Sequence, residues 1–217
     1  MKIKTFEFNP LGVNTYILYD ENKDCIVIDP ASIFPEENEE LISFIEDNNL
    51  NVVRLINTHL HFDHIFGVNL IAEKYNLKLE SHQDDLFLLD NLEQQMKMFG
   101  FNSDREYKPI IGNFLTEDDT IELGDEVLQI IHVPGHSPGS IIFYNQKEGF
   151  MIAGDVLFNG SIGRTDLVGG NFDQLIEGIQ TKLFTLPDNV VVYPGHGPST
   201  SIGREKKHNP FVGKNRF

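Results

Sequence analysis

Apolar and polar positions change period several times along the chain. Residues 2–8 and 13–19 alternate polar with apolar side chains, as half-buried strands do, and 25–28 is a short apolar run between turn residues. A meander of three strands is expected there. From Pro35 to Asn48, Leu41, Ile42 and Ile45 recur at helical spacing behind a first turn rich in Glu, where the helix dipole favours acids. Val52–Ile56 predicts a buried strand, Ile65–Tyr75 a helix and Leu77–Leu79 a short strand. Gln83–Phe99 predicts one helix with Leu86, Leu89, Met96 and Phe99 on its apolar side, and 102–113 predicts a polar loop. Further strands are expected at 120–123, 126–133, 141–144 and 150–153, then a helix over Phe172–Phe184 and a last strand at Val190–Tyr193. No fixed-period repeat and no Pro/Ser-rich linker interrupts this order. The expectation is one domain over 1–217, an α/β fold of two mixed sheets packed together with helices outside.

Composition narrows the picture in three ways. The 217 residues are 40% hydrophobic, ordinary for a globular chain. A single cysteine, Cys25, excludes an internal disulfide and favours a reducing, cytoplasmic setting. The alternating start from Met1 to Phe8 reads as a strand and not as a signal peptide, and no apolar run approaches the ~18 residues of a membrane span. The net charge of −16 argues against nucleic acid as a partner, since phosphate binding rests on clustered Lys and Arg. Five basic residues nevertheless gather after Gly203: Arg204, Lys206, Lys207, Lys214 and Arg216, with one acid, Glu205. That stretch carries +4 against −20 for the remainder. It reads either as a solvated tail or as a patch that attracts an anionic substrate.

The chemistry concentrates where the strand ending at Ile56 runs into His59-Leu60-His61-Phe62-Asp63-His64. Side chains two apart on extended backbone point the same way, so His59 and His61 can reach one ion together. Asp63 and His64 follow as the chain turns and suit a second ion. Imidazole nitrogen with carboxylate oxygen is a ligand set for Zn, Fe, Mn or Co, with no thiolate to bias it. Three later strands also end in a ligand type: Val133-Pro134-Gly135-His136, Ile152-Ala153-Gly154-Asp155 and Tyr193-Pro194-Gly195-His196. Asp155 has two oxygens with which to bridge two ions.

His-x-His-x-Asp-His followed by Gly-His, Gly-Asp and Gly-His resembles the metallo-β-lactamase superfamily, whose fold is an αββα four-layer sandwich with a two-metal site. More narrowly, the chain resembles glyoxalase II-like (hydroxyacylglutathione hydrolase-like) enzymes. Asn14-Thr15-Tyr16, Val27-Ile28-Asp29-Pro30 and Gly163-Arg164-Thr165-Asp166 support this over nearly the full length. The resemblance implies that His59, His61 and His136 hold one metal and that Asp63, His64 and His196 hold the other. Asp155 would bridge the two, and Asp63 would double as a catalytic carboxylate. It also implies that Asp29 steadies the ligand loop from behind. Two divalent ions are expected, zinc first, with iron or manganese as alternatives.

Two metals sharing a water make hydroxide available as a nucleophile near neutral pH. A thiolate leaves without a proton donor, whereas an amine needs one, and the motifs offer no dedicated acid. A thioester or another activated ester is therefore expected over an amide, and the glyoxalase II resemblance implies a small anionic 2-hydroxyacyl thioester such as S-lactoylglutathione. Full-length glyoxalase II enzymes carry a C-terminal helical domain that grips glutathione, and only about twenty residues follow His196 here. Arg164, Arg204, Lys206 and Lys207 are the candidate substrate contacts in its place, and Met96, Met98, Phe99 and Phe101 are candidates for a pocket lining. The chief alternative is a mononuclear iron persulfide dioxygenase of the same fold; a lactonase is another. A true β-lactamase is disfavoured, because aspartate is not usual there at the position of Asp155 and no cysteine ligand is present. A non-catalytic metal-binding scaffold is the plainest alternative. Oligomeric state is not legible.

Overall fold

The structure is a computed structural model that describes residues 1–101 and 107–213. The chain divides into two compact units, Met1–Phe114 and Leu115–Phe217, each with its own six-stranded mixed sheet.

In the first unit β1 (Lys2–Phe8), β2 (Val13–Tyr19) and β3 (Asp24–Ile28) form the expected antiparallel meander. Then β4 (Asn51–Ile56), β5 (Leu79–Ser81) and β6 (Ile111–Phe114) are added in parallel, each reached through helical crossover chain. α1 (Pro35–Asp47) makes the first crossover, with Glu37 at its start accepting from the backbone N–H groups of Asn9, Ile33 and Phe34. α2 (Val68–Tyr75) begins three residues later than the period predicts. Residues 62–64 instead form one tight 3-10 turn that carries Asp63 and His64.

The single helix expected over Gln83–Phe99 is three pieces: a 3-10 turn at Gln83–Asp85, α3 (Leu86–Asp90) and α4 (Leu92–Met98). Asn91 breaks it, with its backbone outside the helical basin and its side-chain amide directed to the Phe87 carbonyl, the competition typical of asparagine. Its buried apolar positions are Leu88, Leu89, Leu92 and Met96, while Phe99 is 38% and Met98 75% exposed. Residues 102–106 of the expected loop lie outside the described residues, and 111–114 is a strand. Phe6, Ile17, Val27, Leu55, Leu60 and Ile71 are among the buried core of this unit.

In the second unit the order is β14-β13-β10-β9-β8-β7, antiparallel throughout except that β10 and β13 run parallel. These are β7 (Thr120–Leu123), β8 (Glu126–His132), β9 (Ile141–Asn145), β10 (Phe150–Gly154), β13 (Val191–Pro194) and β14 (Thr200–Ser201). A two-stranded hairpin, β11 (Leu157–Phe158) and β12 (Ser161–Ile162), follows β10. α5 (Phe172–Gly178) loosens into a π-helical turn over Ile179–Leu183, so the expected helix is present but not uniform. α6 (Ile202–His208) orders the start of the basic stretch; Lys214 and Arg216 lie outside the described residues. Among the described residues no helix is long and apolar enough to cross a membrane.

Candidate metal centre

The first unit presents its ligand candidates at the carboxyl end of β4. Ile56 and Asn57 are the last residues tied into the sheet, through Asp29 N–H to the Ile56 carbonyl (3.1 Å) and Asn57 N–H to the Glu80 carbonyl (3.0 Å). Four side chains then replace sheet partners for the loop. Asn57 Nδ2 donates to the carbonyls of His59 (3.3 Å) and His64 (2.8 Å), and Asn9 Nδ2 to that of Asp63 (3.2 Å). Asp85 Oδ2, fully buried, accepts from Leu60 N–H at 3.0 Å. Asp29 accepts from Thr58 N–H (2.7 Å), Thr58 Oγ1 (2.6 Å) and His64 Nδ1 (3.1 Å). Buried backbone polar groups need such partners, and here they fix the loop.

These contacts determine which imidazole nitrogen is offered. A carboxylate only accepts, so His64 holds its proton on Nδ1 toward Asp29 and presents the Nε2 lone pair. Thr58 spends its hydroxyl proton on Asp29, so its oxygen accepts from His59 Nδ1 at 3.1 Å and His59 also presents Nε2. The His59 and His61 rings stand 4.9 Å apart and nearly perpendicular, and the His59 and His64 rings 4.2 Å apart. Asp63 Oδ2 lies 4.0 Å from His64 Nε2. His59, His61, Asp63 and His64 are all buried.

The second unit presents the other three. β10 and β13 are neighbours in parallel, and Gly195 N–H donates to the Gly154 carbonyl at 2.7 Å, so the strand ends bearing Asp155 and His196 lie side by side. His136 follows a tight turn. Gly135 adopts φ +133°, and a Cβ there would stand 2.5 Å from the Leu175 nitrogen in the middle of α5. His136 Nδ1 donates to the Arg164 carbonyl at 2.8 Å, a group that only accepts, so it too presents Nε2. Asp155 Oδ2 is 3.5 Å from His136 Nε2 and 3.4 Å from His196 Nε2. Those separations are long for hydrogen bonds. They match the edge of a tetrahedron with ligand bonds of about 2.0–2.2 Å, roughly 3.3–3.6 Å. The same carboxylate oxygen approaches both imidazoles. The donor set and its tautomers fit divalent metal.

The chain matches the Metallo-beta-lactamase superfamily over residues 8–196. It belongs to that superfamily. Hydroxyacylglutathione hydrolase GloC of Haemophilus influenzae is 35% identical over 98% of both chains. Among solved structures, TTHA1623 in a di-iron-bound form superposes with a TM-score of 0.84 at 32% identity, covering 98% of this chain and 100% of that one. The BLEG-1 B3 metallo-beta-lactamase superposes with a TM-score of 0.86 at 34% identity, covering 97% and 99%. The mixed α/β architecture with two large sheets is that of this superfamily.

The remaining sequence candidates fall in different surroundings. Arg164 is bound through Nε and Nη2 to both oxygens of Asp166, each at 2.8 Å, and this fork holds the Asp166 carboxyl down at about 2. Its side chain is thus engaged, and its carbonyl is what orients His136. Lys206 pairs with Asp188 at 2.8 Å, and Arg204 and Lys207 are exposed. Of the suggested pocket residues, Met96 is buried in the core, while the rings of Phe99 and Phe101 lie tilted against Phe62 with centroids at 5.0 and 5.7 Å. Burial pushes the Cys25 thiol up to about 12, which leaves it inert. Sequence reasoning missed Thr58, Asn57, Asn9 and Asp85. Only Thr58 carried a signal, its place directly before His59.

Proposed function

We propose that the chain is a metal-dependent hydrolase of small thioesters, of the glyoxalase II type, with His59, His61, Asp63, His64, His136, Asp155 and His196 as ligands of two divalent ions. The observation that carries this reading is Asp155 Oδ2 at ligand-edge distance from both His136 Nε2 and His196 Nε2. The GloC likeness supports the hydroxyacyl thioester as substrate, and the di-iron neighbour supports a pair of metals, with iron beside zinc as a candidate. Divalent metals held by these residues would lower the pKa of bound water into the neutral range and would polarise the carbonyl of the substrate. The protein's own part is orientation. Asp29, Thr58 and the Arg164 carbonyl engage Nδ1 of three imidazoles and leave Nε2 to face a metal. A thiolate leaving group needs no proton from a side chain.

Metal analysis of protein purified without added metal, followed by a thioester panel with and without chelator, tests this. About two metals per chain and chelator-sensitive cleavage of S-lactoylglutathione are expected. Protein with two metals that leaves this thioester intact at every pH overturns the thioester reading. The same panel includes a β-lactam, since one neighbour at 34% identity is named a B3 metallo-beta-lactamase. One iron per chain with oxygen uptake on glutathione persulfide would instead establish the dioxygenase.

A further inference from the structure

Asn159, at the turn of the β11–β12 hairpin, links two segments of the second unit. Its Nδ2 donates to the Ser199 carbonyl at 3.2 Å, and its Oδ1 accepts from Arg204 Nε at 3.3 Å. The preceding residue, Phe158, sets its ring edge-on to the His196 imidazole with centroids 6.2 Å apart. Arg204 is therefore held one residue removed from the wall of a candidate metal ligand. Among the described residues its one further ion-pair contact is Nε to Glu205 Oε1 at 3.7 Å. Glu205 is buried and already accepts from Thr200 Oγ1, Gly160 N–H and Asn209 Nδ2, so its charge is spread over three donors. Among the described residues neither terminal nitrogen of Arg204 meets an acceptor, and its side chain is 59% exposed.

Two of the other candidate cations differ. Arg164 is closed on Asp166 and Lys206 on Asp188. We propose that Arg204, aimed by Asn159, is the specificity-determining residue that binds the carboxylate of the substrate beside His196, so that the enzyme takes small thioesters carrying a carboxylate. A guanidinium pinned at Nε keeps its two outer N–H groups as a fixed fork, which fits the two oxygens of a carboxylate. One fork balances one unit of charge. This inference rests on the thioester hydrolase reading and sharpens its substrate class.

Diffuse attraction by a basic surface and recognition by a fork part company at Arg204→Lys, which keeps the charge and loses the geometry. Binding of S-methylglutathione, an unreactive carboxylate-bearing thioether, and of its dialkyl ester is measured by calorimetry on metal-loaded protein, independently of turnover. The expected result is that the free acid binds more tightly than the ester. Arg204→Lys and Arg204→Ala should both weaken the acid by about tenfold, Asn159→Ala by less, and Lys207→Ala not at all. On a cleaved thioester the Arg204 variants should raise KM and leave kcat near wild type. Equal binding of acid and ester by the wild type, or an Arg204→Lys protein that binds as the wild type does, overturns the proposal. A wild type that binds the acid through Arg204 and cleaves no thioester overturns only the hydrolase reading.

Discussion

Thr58 and Asp29 decide how two imidazoles stand. Asp29 Oδ2 meets both the Thr58 hydroxyl and His64 Nδ1, and Thr58 passes the constraint on to His59. A buried carboxylate thus orients one ring directly and a second through one hydroxyl. Losing that hydroxyl leaves His59 free to turn while the direct bond to His64 stays. Thr58→Val should weaken metal retention by about tenfold, in the range for partners that stand behind metal ligands, and Thr58→Ser should restore it. Competition with a chromophoric chelator measures this. Equal retention by Thr58→Val and wild type would show that the hydroxyl has no part in holding His59. Only the adjacency of Thr58 to His59 was legible in the sequence. The tie to Asp29 spans 29 residues and has no periodic signature.

At the scale of elements, strand ends were the legible part, because a buried apolar run that stops at a ligand type is a local pattern. Breaks and supports were not. Asn91 divides a helix that hydrophobic spacing alone would continue, and the separate 3-10 turn before α3 carries Asp85, which takes the Leu60 N–H between two candidate ligand histidines. Removing that acceptor leaves a buried donor unsatisfied, a cost of about 1–3 kcal/mol. Asp85→Ala should therefore lower the melting temperature by several degrees and loosen metal, while Asp85→Asn, which keeps an acceptor oxygen, should lose much less. Equal behaviour of the two variants in melting and metal titration would rule out this hydrogen bond as the cause.

At the scale of the whole molecule, a net charge of −16 means that most charged groups repel one another on average. Ion pairs such as the half-buried Arg54–Glu80 fork, with Nη2 to Oε2 at 2.6 Å, oppose this locally. Raising salt from about 0.01 M to about 1 M shortens the screening length from about 30 Å to about 3 Å, which weakens long-range repulsion more than close pairs. The melting temperature of the metal-loaded protein should rise with sodium chloride near neutral pH. A fall would mean that exposed ion pairs outweigh the general repulsion. Each unit buries a hydrophobic core of its own, so this electrostatic term modulates stability and does not create it.

By itself the sequence determined the kinds of element, the superfamily and the identity of the candidate ligands, because hydrophobic period and ligand type at a strand end are properties of neighbouring residues. Tertiary structure alone decided how those ligands are presented. His136 takes its orientation from a carbonyl 28 residues away, and Asp155 meets His196 because β10 and β13 are adjacent and parallel. Arg204 differs from Lys206 in meeting Asn159 and not Asp188. Such contacts form only when distant segments pack. The free energy of that packing is not written in any short window of the chain.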